Sequence, residues 1–546
     1  LLKVTIDGKI YEAPEGANVL EVCRAHGVSV EHFCYHRYLK VDGNCRTCMV
    51  EIEGPHGNAL AIGCNTRVTE GMVVHTVSPI AVKARQSALE FLLLDHPLDC
   101  PVCDKAGECS LQDNYMEYGL YDARRSTPRY FKGGKAVDIG EHIVLDQERC
   151  IICRRCTRFL DSVTQTNELC IVERGHESLL TLFPGKRLDN AYSGCVTDVC
   201  PVGALGLKEF RFQQRVWFLK KAESVCDGCA RGCSITMEHN REKVWRYMPR
   251  ENPGINRIWI CDEGRLGYNR HHENRMESSR FCDSTHPWKE TLEKVGRLLA
   301  PLKKGEVAGF ASPWASLEDN WMLQRLFEKR FDPENLVAPL PGGTGTGDDL
   351  LRLPEKYPNG SGLKCLGLLT DTAPLLKAME SGSIRALLVM ENDPTEWGDE
   401  RFLKAAAKVP FVIFLATHQT AGTQTASAVL PIRTHAEKDG TFVNGSGWLQ
   451  RFRKAVEPTD PTLFSSSLLL SDLAGKLGVE GLSFSDEISV FDAMARELPV
   501  LSGLTFASIS SFGRKLEIQT TCPDPFKNIH PDPNVVPPEG LKGERL

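Results

Sequence analysis

The sequence predicts a multidomain chain that changes class along its length, α+β at first and α/β later. Nineteen of the 21 cysteines lie before residue 283, so the earlier part is built around thiols. Most of these thiols fall into four groups, each offering four donors of metal-ligand type. Beyond residue 275 the short apolar runs Val307–Ala311, Ala386–Met390 and Phe411–Ala416 alternate with helical stretches such as Leu317–Phe331 and Arg401–Lys408. That alternation is the pattern of a layered, mostly parallel sheet. A chain of 546 residues has the length for several domains and a large core.

Composition removes several function classes. Lys and Arg number 65 against 71 Asp and Glu, so nothing in the charge recommends nucleic acid as a partner. The longest apolar runs, such as Phe91–Leu94 and Phe411–Ala416, are too short to cross a bilayer, and no direct membrane span is expected. No signal peptide is expected; the chain opens Leu1-Leu2-Lys3, and a few residues are expected to precede it. Thiols in tight CxxC-type groups without such a signal favour metal clusters in a reducing compartment over disulfides.

Lys3–Glu12 alternates apolar and polar residues about Asp7-Gly8, which reads as a hairpin. Ala17–His26 reads as a short helix with Val19, Leu20, Val22 and Cys23 towards a core, Cys23 as a packed free thiol. Cys34, Cys45, Cys48 and Cys64 follow with spacing C-x10-C-x2-C-x15-C, and a strand is expected over Met49–Glu53. Gly43 and Gly63 stand just ahead of thiols, where a backbone must approach a cluster closely. Hairpin, helix and Cys-bearing loop together resemble the β-grasp fold of plant-type [2Fe–2S] ferredoxins, whose first loop is shorter.

Ser78–Asp95 is expected as an amphipathic helix that delivers His96 to a site shared with Cys100, Cys103 and Cys109. Pro97 and Pro101 prevent regular helix there, while Gly107 lets the backbone turn. A structural zinc site accepts the same donors at such spacings. Residues 110–147 read as a connector broken at Gly133-Gly134.

Cys150, Cys153 and Cys156 place three thiols on one tight turn, and Cys200-Pro201 supplies a fourth from a distance. In two-cluster ferredoxins the triplet continues to a further Cys, and a second triplet precedes the Cys-Pro element. Here those positions hold Leu160 and Asn190, Ser193 and Val196, so one cubane of the pair is absent. Cys170 and Cys195 are expected as packed thiols. The last group is Cys226, Cys229, Cys233 and Cys261, for which a zinc ribbon is the alternative. The four groups use fifteen Cys and one His, leaving Cys23, Cys170, Cys195, Cys282, Cys365 and Cys522.

In the α/β part, no Cys stands where a strand end could ligate a metal. Cys365 begins the apolar run Cys365–Leu369, Cys282 follows the last group too closely, and Cys522 opens a Pro-rich tail expected to be extended. The loop Pro341–Gly347 lacks the Gly-Lys-Ser/Thr of a P-loop and reads as flexible. His271-His272 with the nearby Arg residues reads as a charged surface. No constellation for bond-making catalysis, and no nucleotide or flavin fingerprint, is found.

Longer stretches add a family resemblance. HPLDCPVCDKAGECSLQDNYMEYG from His96, FCYHRYLKVDGNCRTCMVEIEG from Phe33 and SAVLPIRTHAEKDGTFVNGSGWLQRFRKAV from Ser427 resemble the large, G-type iron–sulfur subunit of NADH–quinone oxidoreductase, respiratory complex I. The run ending CDEGRLGY at Tyr268 resembles the cluster-binding entrance of molybdopterin oxidoreductases. The resemblance implies one [2Fe–2S] cluster on Cys34, Cys45, Cys48 and Cys64. It implies three [4Fe–4S] clusters, on His96, Cys100, Cys103 and Cys109, on Cys150, Cys153, Cys156 and Cys200, and on Cys226, Cys229, Cys233 and Cys261. No molybdopterin is expected, because the α/β part is short for that cofactor. Boundaries are expected at 1–78 for the [2Fe–2S] domain, 79–145 for the His/Cys-ligated domain and 146–215 for a single-cluster ferredoxin-like domain. A [4Fe–4S] entry domain is expected over 216–275, a shortened molybdopterin-oxidoreductase-like α/β domain over 276–521 and the tail over 522–546.

The implied role is an electron relay from a flavin- and NADH-binding subunit towards a subunit with two ferredoxin-like cubanes, among other peripheral-arm subunits. The implied order is the Cys34, Cys150 and then His96 cluster, on the cytoplasmic side of a bacterial inner membrane. The alternative is an iron–sulfur subunit of an NAD-linked formate dehydrogenase or hydrogenase.

Overall fold

Asp7 and Gly8, both at positive φ (48° and 80°), turn the chain between β1 (Leu2–Ile6) and β2 (Lys9–Ala13), which pair antiparallel with Ile6 opposite Lys9. Such two-residue turns match the twist of a hairpin. The structure, a computed structural model, describes residues 1–520 and 522 apart from 123, 125–127, 343–344 and 398–399. The described residues form two compact units, one over Leu1–Leu219 and one from Lys220 on.

In the first unit, α1 (Val19–Ala25) starts at Asn18, whose side chain accepts the Glu21 amide and so satisfies one free helix donor. Strands β3 (Met49–Ile52), β4 (Ala59–Ile62) and β5 (Val73–His75) complete a five-stranded sheet of order β2-β1-β5-β3-β4, with β1 and β5 parallel. Val4, Ile6, Leu20, Val50 and Val74 form its core together with Cys23, Cys48 and Cys64. Cys23 is fully buried, and burial with Asp7 nearby pushes its thiol up to about 12, which keeps it an inert packed group.

Helix α2 (Pro79–Leu93) begins where Ser78 caps the Ala81 amide. Its faces are less cleanly divided than an amphipathic helix implies. Arg85 is buried, donating to the Met49 and Thr76 carbonyls and pairing with Glu31 at 2.8 Å, while Ile80 and Phe91 are exposed. A guanidinium can be buried there because carbonyls and a carboxylate meet it.

The expected connector 110–147 is corrected. It holds α3 (Ser110–Tyr118) and the strands β6 (Val137–Asp138) and β7 (Ile143–Leu145), whose Ile143, Val144 and Leu145 are all buried. The break at Gly133-Gly134 is real, both at positive φ. Then come α4 (Arg155–Ser162), the hairpin β8 (Leu169–Val172) and β9 (Leu179–Leu182), α5 (Cys195–Val199), and β10 (Leu205–Leu207), which pairs with β7. Leu160 on α4 and Val196 on α5 are fully buried where a second cubane's thiols are missing. Cys195 is buried and Cys170 half-buried, its thiol on the Leu182 carbonyl.

The second unit opens with the antiparallel meander β11 (Lys220–Val225), β12 (Ser234–Asn240) and β13 (Lys243–Pro249), followed by α6 (Asp262–Leu266). Its main sheet contains β14 (Arg280–Phe281), β15 (Ser284–Thr285), β16 (Val307–Phe310), β17 (Leu336–Val337), β18 (Ala386–Met390), β19 (Phe411–Ala416) and β20 (Ala428–Pro431). The order is β15-β14-β20-β19-β18-β16-β17, parallel from β20 to β17 with an antiparallel edge.

Leu388, Met390, Ile413 and Leu415 face a core that includes α7 (Trp288–Leu299), α8 (Leu317–Arg330), α13 (Ser466–Lys476) and α14 (Glu487–Glu497). Leu387, Val389 and Phe414 face the opposite core, with α10 (Ala373–Glu380) and α11 (Glu400–Ala406). Strands covered on both faces must be apolar throughout, which is why these runs do not alternate. Short helices α9 (Gly360–Cys365) and α12 (Ala421–Thr425) and a sheet of β21 (Gly440–Val443), β22 (Trp448–Phe452) and β23 (Arg514–Lys515) complete the unit.

Two further readings of this half are corrected. Cys365 ends α9 instead of opening a strand-like run; of that run, Leu369 makes a single parallel bridge to Val337. His271 is buried, not part of a charged surface: its Nε2 lies 2.5 Å from the Tyr247 hydroxyl and its ring 4.8 Å from that of His435. Cys522, where the Pro-rich tail opens, packs on Cys229, Ala230 and Leu353. The tail beyond it, and Gly343 and Thr344 of the Pro341–Gly347 loop, lie outside the described residues.

Candidate metal-cluster sites

The Cys34 site hangs on the loop between α1 and β3 and on the turn after β4. Cys34, Cys48 and Cys64 are buried. Their thiols meet in a chain of contacts: Cys45 and Cys64 donate to Cys34 and hold it well below the usual thiol range, and Cys64 likewise holds Cys48 down. The Cys34 amide also points at Cys45 Sγ, at 3.4 Å. Gly63 is required by space, because a Cβ there would stand 3.0 Å from the Cys48 carbonyl oxygen. Gly43 serves otherwise than expected: its φ of +68° needs glycine, and its nearest neighbour is an Ile62 methyl at 4.0 Å.

His96, Cys100, Cys103 and Cys109 line one cavity of about 640 Å³, with Leu111, Arg149 and Gly203. Helix α2 ends at Leu93 and so brings His96 to this space, while Cys109 immediately precedes α3. His96 Nδ1 is buried without a hydrogen-bond partner. Burial, with Arg149 nearby, lowers the imidazole to about 4, so the ring is neutral and free to donate a lone pair. Gly107 sits at φ +89° against Val216 and Trp217.

Cys150, Cys153, Cys156 and Cys200 line one small closed space with Ile171, Leu180 and Leu205. Ile152 and Arg154 adopt left-handed backbone (φ 52° and 61°), which curls the triplet around a common centre. Burial and the neighbouring thiols raise the Cys150 and Cys156 thiols, so these two need a cation or metal to exist as thiolates.

The Cys226 site is closed by backbone: the Cys226 amide donates to the Cys233 carbonyl at 2.8 Å, and the Gly264 amide points at Cys261 Sγ at 3.3 Å. A Cβ on Gly264 would lie 3.0 Å from Cys226 Sγ and 3.4 Å from Cys261 Sγ, so these two thiols share one cradle. Asp227 pairs with Arg270 at 2.9 Å and lies 3.6 Å from His435. Burial works against its carboxylate, but Arg270 and His435 outweigh it and keep it ionised.

These donor sets fit iron–sulfur clusters. Each is thiol-rich and largely buried, one includes an orphaned imidazole nitrogen, and glycines leave room beside the sulfurs of two of the four.

Sequence reading missed the groups that join the sites. Arg158 Nη2 donates to the carbonyls of both Cys34 and, at 3.5 Å, Cys153. Asn44 donates to the Ile152 carbonyl at 3.1 Å. Gly203 abuts Cys103 Sγ. The only local signal was the pair Arg154-Arg155 inside a thiol triplet, where two cations are out of place unless they serve the site.

Family models match in the same order as the sites. Residues 1–79 match a 2Fe-2S iron-sulfur cluster binding domain, and 85–124 match the NADH-ubiquinone oxidoreductase-G iron-sulfur binding region. Residues 140–206 match the ferredoxin-like domain of NADH-quinone oxidoreductase subunit 3, and 219–269 the NDSU1/NuoG-like 4Fe-4S domain. Residues 366–460 match molybdopterin oxidoreductase. A protein of Rickettsia bellii, named as the G subunit of NADH-quinone oxidoreductase, is 35% identical over 337 residues, 60% of this chain and 48% of the relative. One of the same name from Streptomyces coelicolor is 40% identical over 271 residues, 49% of this chain and 32% of the relative. The chain therefore spans about half the length, or less, of these relatives. A solved NAD+-reducing [NiFe]-hydrogenase in the H2-reduced state is 26% identical, covering 39% of this chain and 91% of its own, with a TM-score of 0.33.

Proposed function

We propose that this chain, similar to the G-type subunits of NADH–quinone oxidoreductase, is the electron-relay iron–sulfur subunit of such a complex. The observation that carries the reading is the way the first unit joins its three donor sets. The Cys150 set meets the Cys34 set through Arg158 and Asn44, and its Gly203 lies against Cys103 of the His96 set. A continuous row of redox sites needs this contact, and packed thiols or isolated structural zinc sites do not.

Cys34, Cys45, Cys48 and Cys64 would hold a [2Fe–2S] cluster. Three further sets would each hold a [4Fe–4S] cluster: His96, Cys100, Cys103 and Cys109; Cys150, Cys153, Cys156 and Cys200; and Cys226, Cys229, Cys233 and Cys261. Such clusters supply one-electron exchange at potentials set by ligand, charge, hydrogen bonds and burial. The protein excludes water from most of the thiols, keeps His96 neutral, and aims backbone amides at sulfur.

Among the described residues no helix is long and apolar enough to cross a membrane. In our reading the chain sits in the peripheral arm, on the cytoplasmic side of a bacterial membrane. It lies between a flavin- and NADH-binding subunit and a two-cubane ferredoxin-like subunit. The α/β part carries no molybdopterin. Of the alternatives, a hydrogenase subunit is disfavoured by Leu160 and Val196, which fill the place of a second cubane, and an NAD-linked formate dehydrogenase by the lack of a metal-ligating Cys in the short α/β part.

Metal analysis tests the reading. A fully loaded chain should carry about fourteen irons with matching sulfide. Ten or fewer, stoichiometric zinc, or stoichiometric molybdenum would overturn it.

A further inference from the structure

The contact between the Cys34 and Cys150 sites is made largely by two arginines of α4. Arg158 Nη1 donates to the Lys40 carbonyl, and Nη2 to the carbonyls of Cys34 and Cys153. Its Nε is held by the Arg154 carbonyl at 3.2 Å, one turn back in the chain. Arg155 repeats the pattern, reaching the Tyr35 carbonyl at 2.5 Å and the Val199 carbonyl at 3.4 Å, the residues beside Cys34 and Cys200. Arg154 pairs with Asp42 at 3.1 Å at the rim.

Among the described residues no carboxylate neutralises Arg158; its partners are all backbone carbonyls. Its charge is therefore left to act on what lies beyond those carbonyls, and on both sides that is a thiol set. Polar side chains that satisfy a loop ordinarily serve one loop. This guanidinium serves two ligand-bearing segments, its Cys34 partner lying 124 residues away in the chain, and its planar fork suits two acceptors at once.

We propose that Arg158 is a positioning residue shared by the two sites. It fixes the backbone of Cys34 and Cys153 relative to each other, and its fixed charge raises the potential of a cluster at either site. The sign follows from charge: a reduced cluster carries one more negative charge, which a nearby cation stabilises, and partial burial limits screening by salt. The inference rests on the reading of both sets as cluster sites.

The test is redox titration of the full chain as isolated, following the electron paramagnetic resonance signals of each cluster, with wild type, Arg158→Gln and Arg158→Lys. Wild type lacking the two signals would sink the cluster reading itself, before Arg158 is at issue. With wild type loaded, Arg158→Gln should move both midpoints downwards together, and Arg158→Lys, which keeps the charge, should restore most of the shift. Signals from the His96 and Cys226 sites should stay in place. If Arg158→Gln instead empties both sites while the other two stay loaded, and lysine refills them, a shared anchor is equally supported. Unmoved midpoints, movement or loss at one site alone, or loss spreading to the His96 or Cys226 sites in both variants would overturn the proposal.

Discussion

Gly203 lies directly against the thiol of Cys103: a Cβ built on its backbone would stand 2.1 Å from Sγ, far inside contact distance. Gly203 follows the Cys200-Pro201 element, so the end of one donor set forms the wall of the next. Gly203→Ala should displace Cys103 and cost the His96 site its cluster. Iron content should fall by about four per chain while the Cys150 signal persists. Full iron content in the alanine variant would show that Cys103 can move aside without loss.

His96 offers a neutral ring whose Nδ1 has no partner in the protein. Replacing it with a thiolate adds negative charge beside the cluster, and so disfavours the reduced state. His96→Cys should keep the cluster and lower its midpoint in a redox titration. An unchanged midpoint would mean that His96 is not a ligand.

Cys229 is packed with Ala230, Leu353 and Cys522. The loop it begins is clamped on two sides, Ala230 donating to the Glu355 carbonyl at 2.8 Å and Gly445 to the Ala230 carbonyl at 2.7 Å. A cluster here would staple this loop to the α/β half, much as a bound metal contributes folding energy. Cys229→Ser should lower the melting temperature or the yield of assembled complex. NADH–quinone turnover per bound flavin should stay near wild type in what assembles. Loss of most turnover with the other cluster signals intact would put this site on the main path.

Glu318 is fully buried on α8, accepting from the Thr441 amide at 3.0 Å and its hydroxyl at 2.9 Å. Burial, with Asp319 beside it, lifts its carboxyl to about 7. Asp319 is the member of the pair that Lys438 neutralises, at 2.5 Å; removing one partner of such a buried pair costs about 3–5 kcal/mol. A raised carboxyl favours the folded state while protonated, so its contribution is full below the unfolded value of 4.5 and is lost as pH rises through 7. Glu318→Gln should therefore melt increasingly above wild type from pH 5 to pH 8, by about 1–3 kcal/mol in stability. Parallel melting curves across that range would show that Glu318 is not protonated in the fold.

The sequence by itself determined the candidate donor sets proposed here, because a ligand loop is a local object whose residue types and spacing are written in one short run. The first hairpin and the central parallel strands were legible for the same reason: Asp7-Gly8 specifies its own turn, and Ala386–Met390 is apolar at every position. The strands inside 110–147 were not legible, since three apolar residues, Ile143 to Leu145, are too few to show a period. His271 was misread because its burial is set by Tyr247 and His435, which lie far from it in the chain.

What tertiary structure alone decided is how the sites adjoin. In the chain the His96 set separates the Cys34 and Cys150 sets, yet Arg158 binds the Cys34 and Cys153 carbonyls together and Gly203 brings Cys103 up behind them. The Arg158–Cys34 and Gly203–Cys103 contacts each join residues about a hundred positions apart. No local pattern encodes such a pair; it forms only when packed elements have closed the intervening chain into a fixed loop.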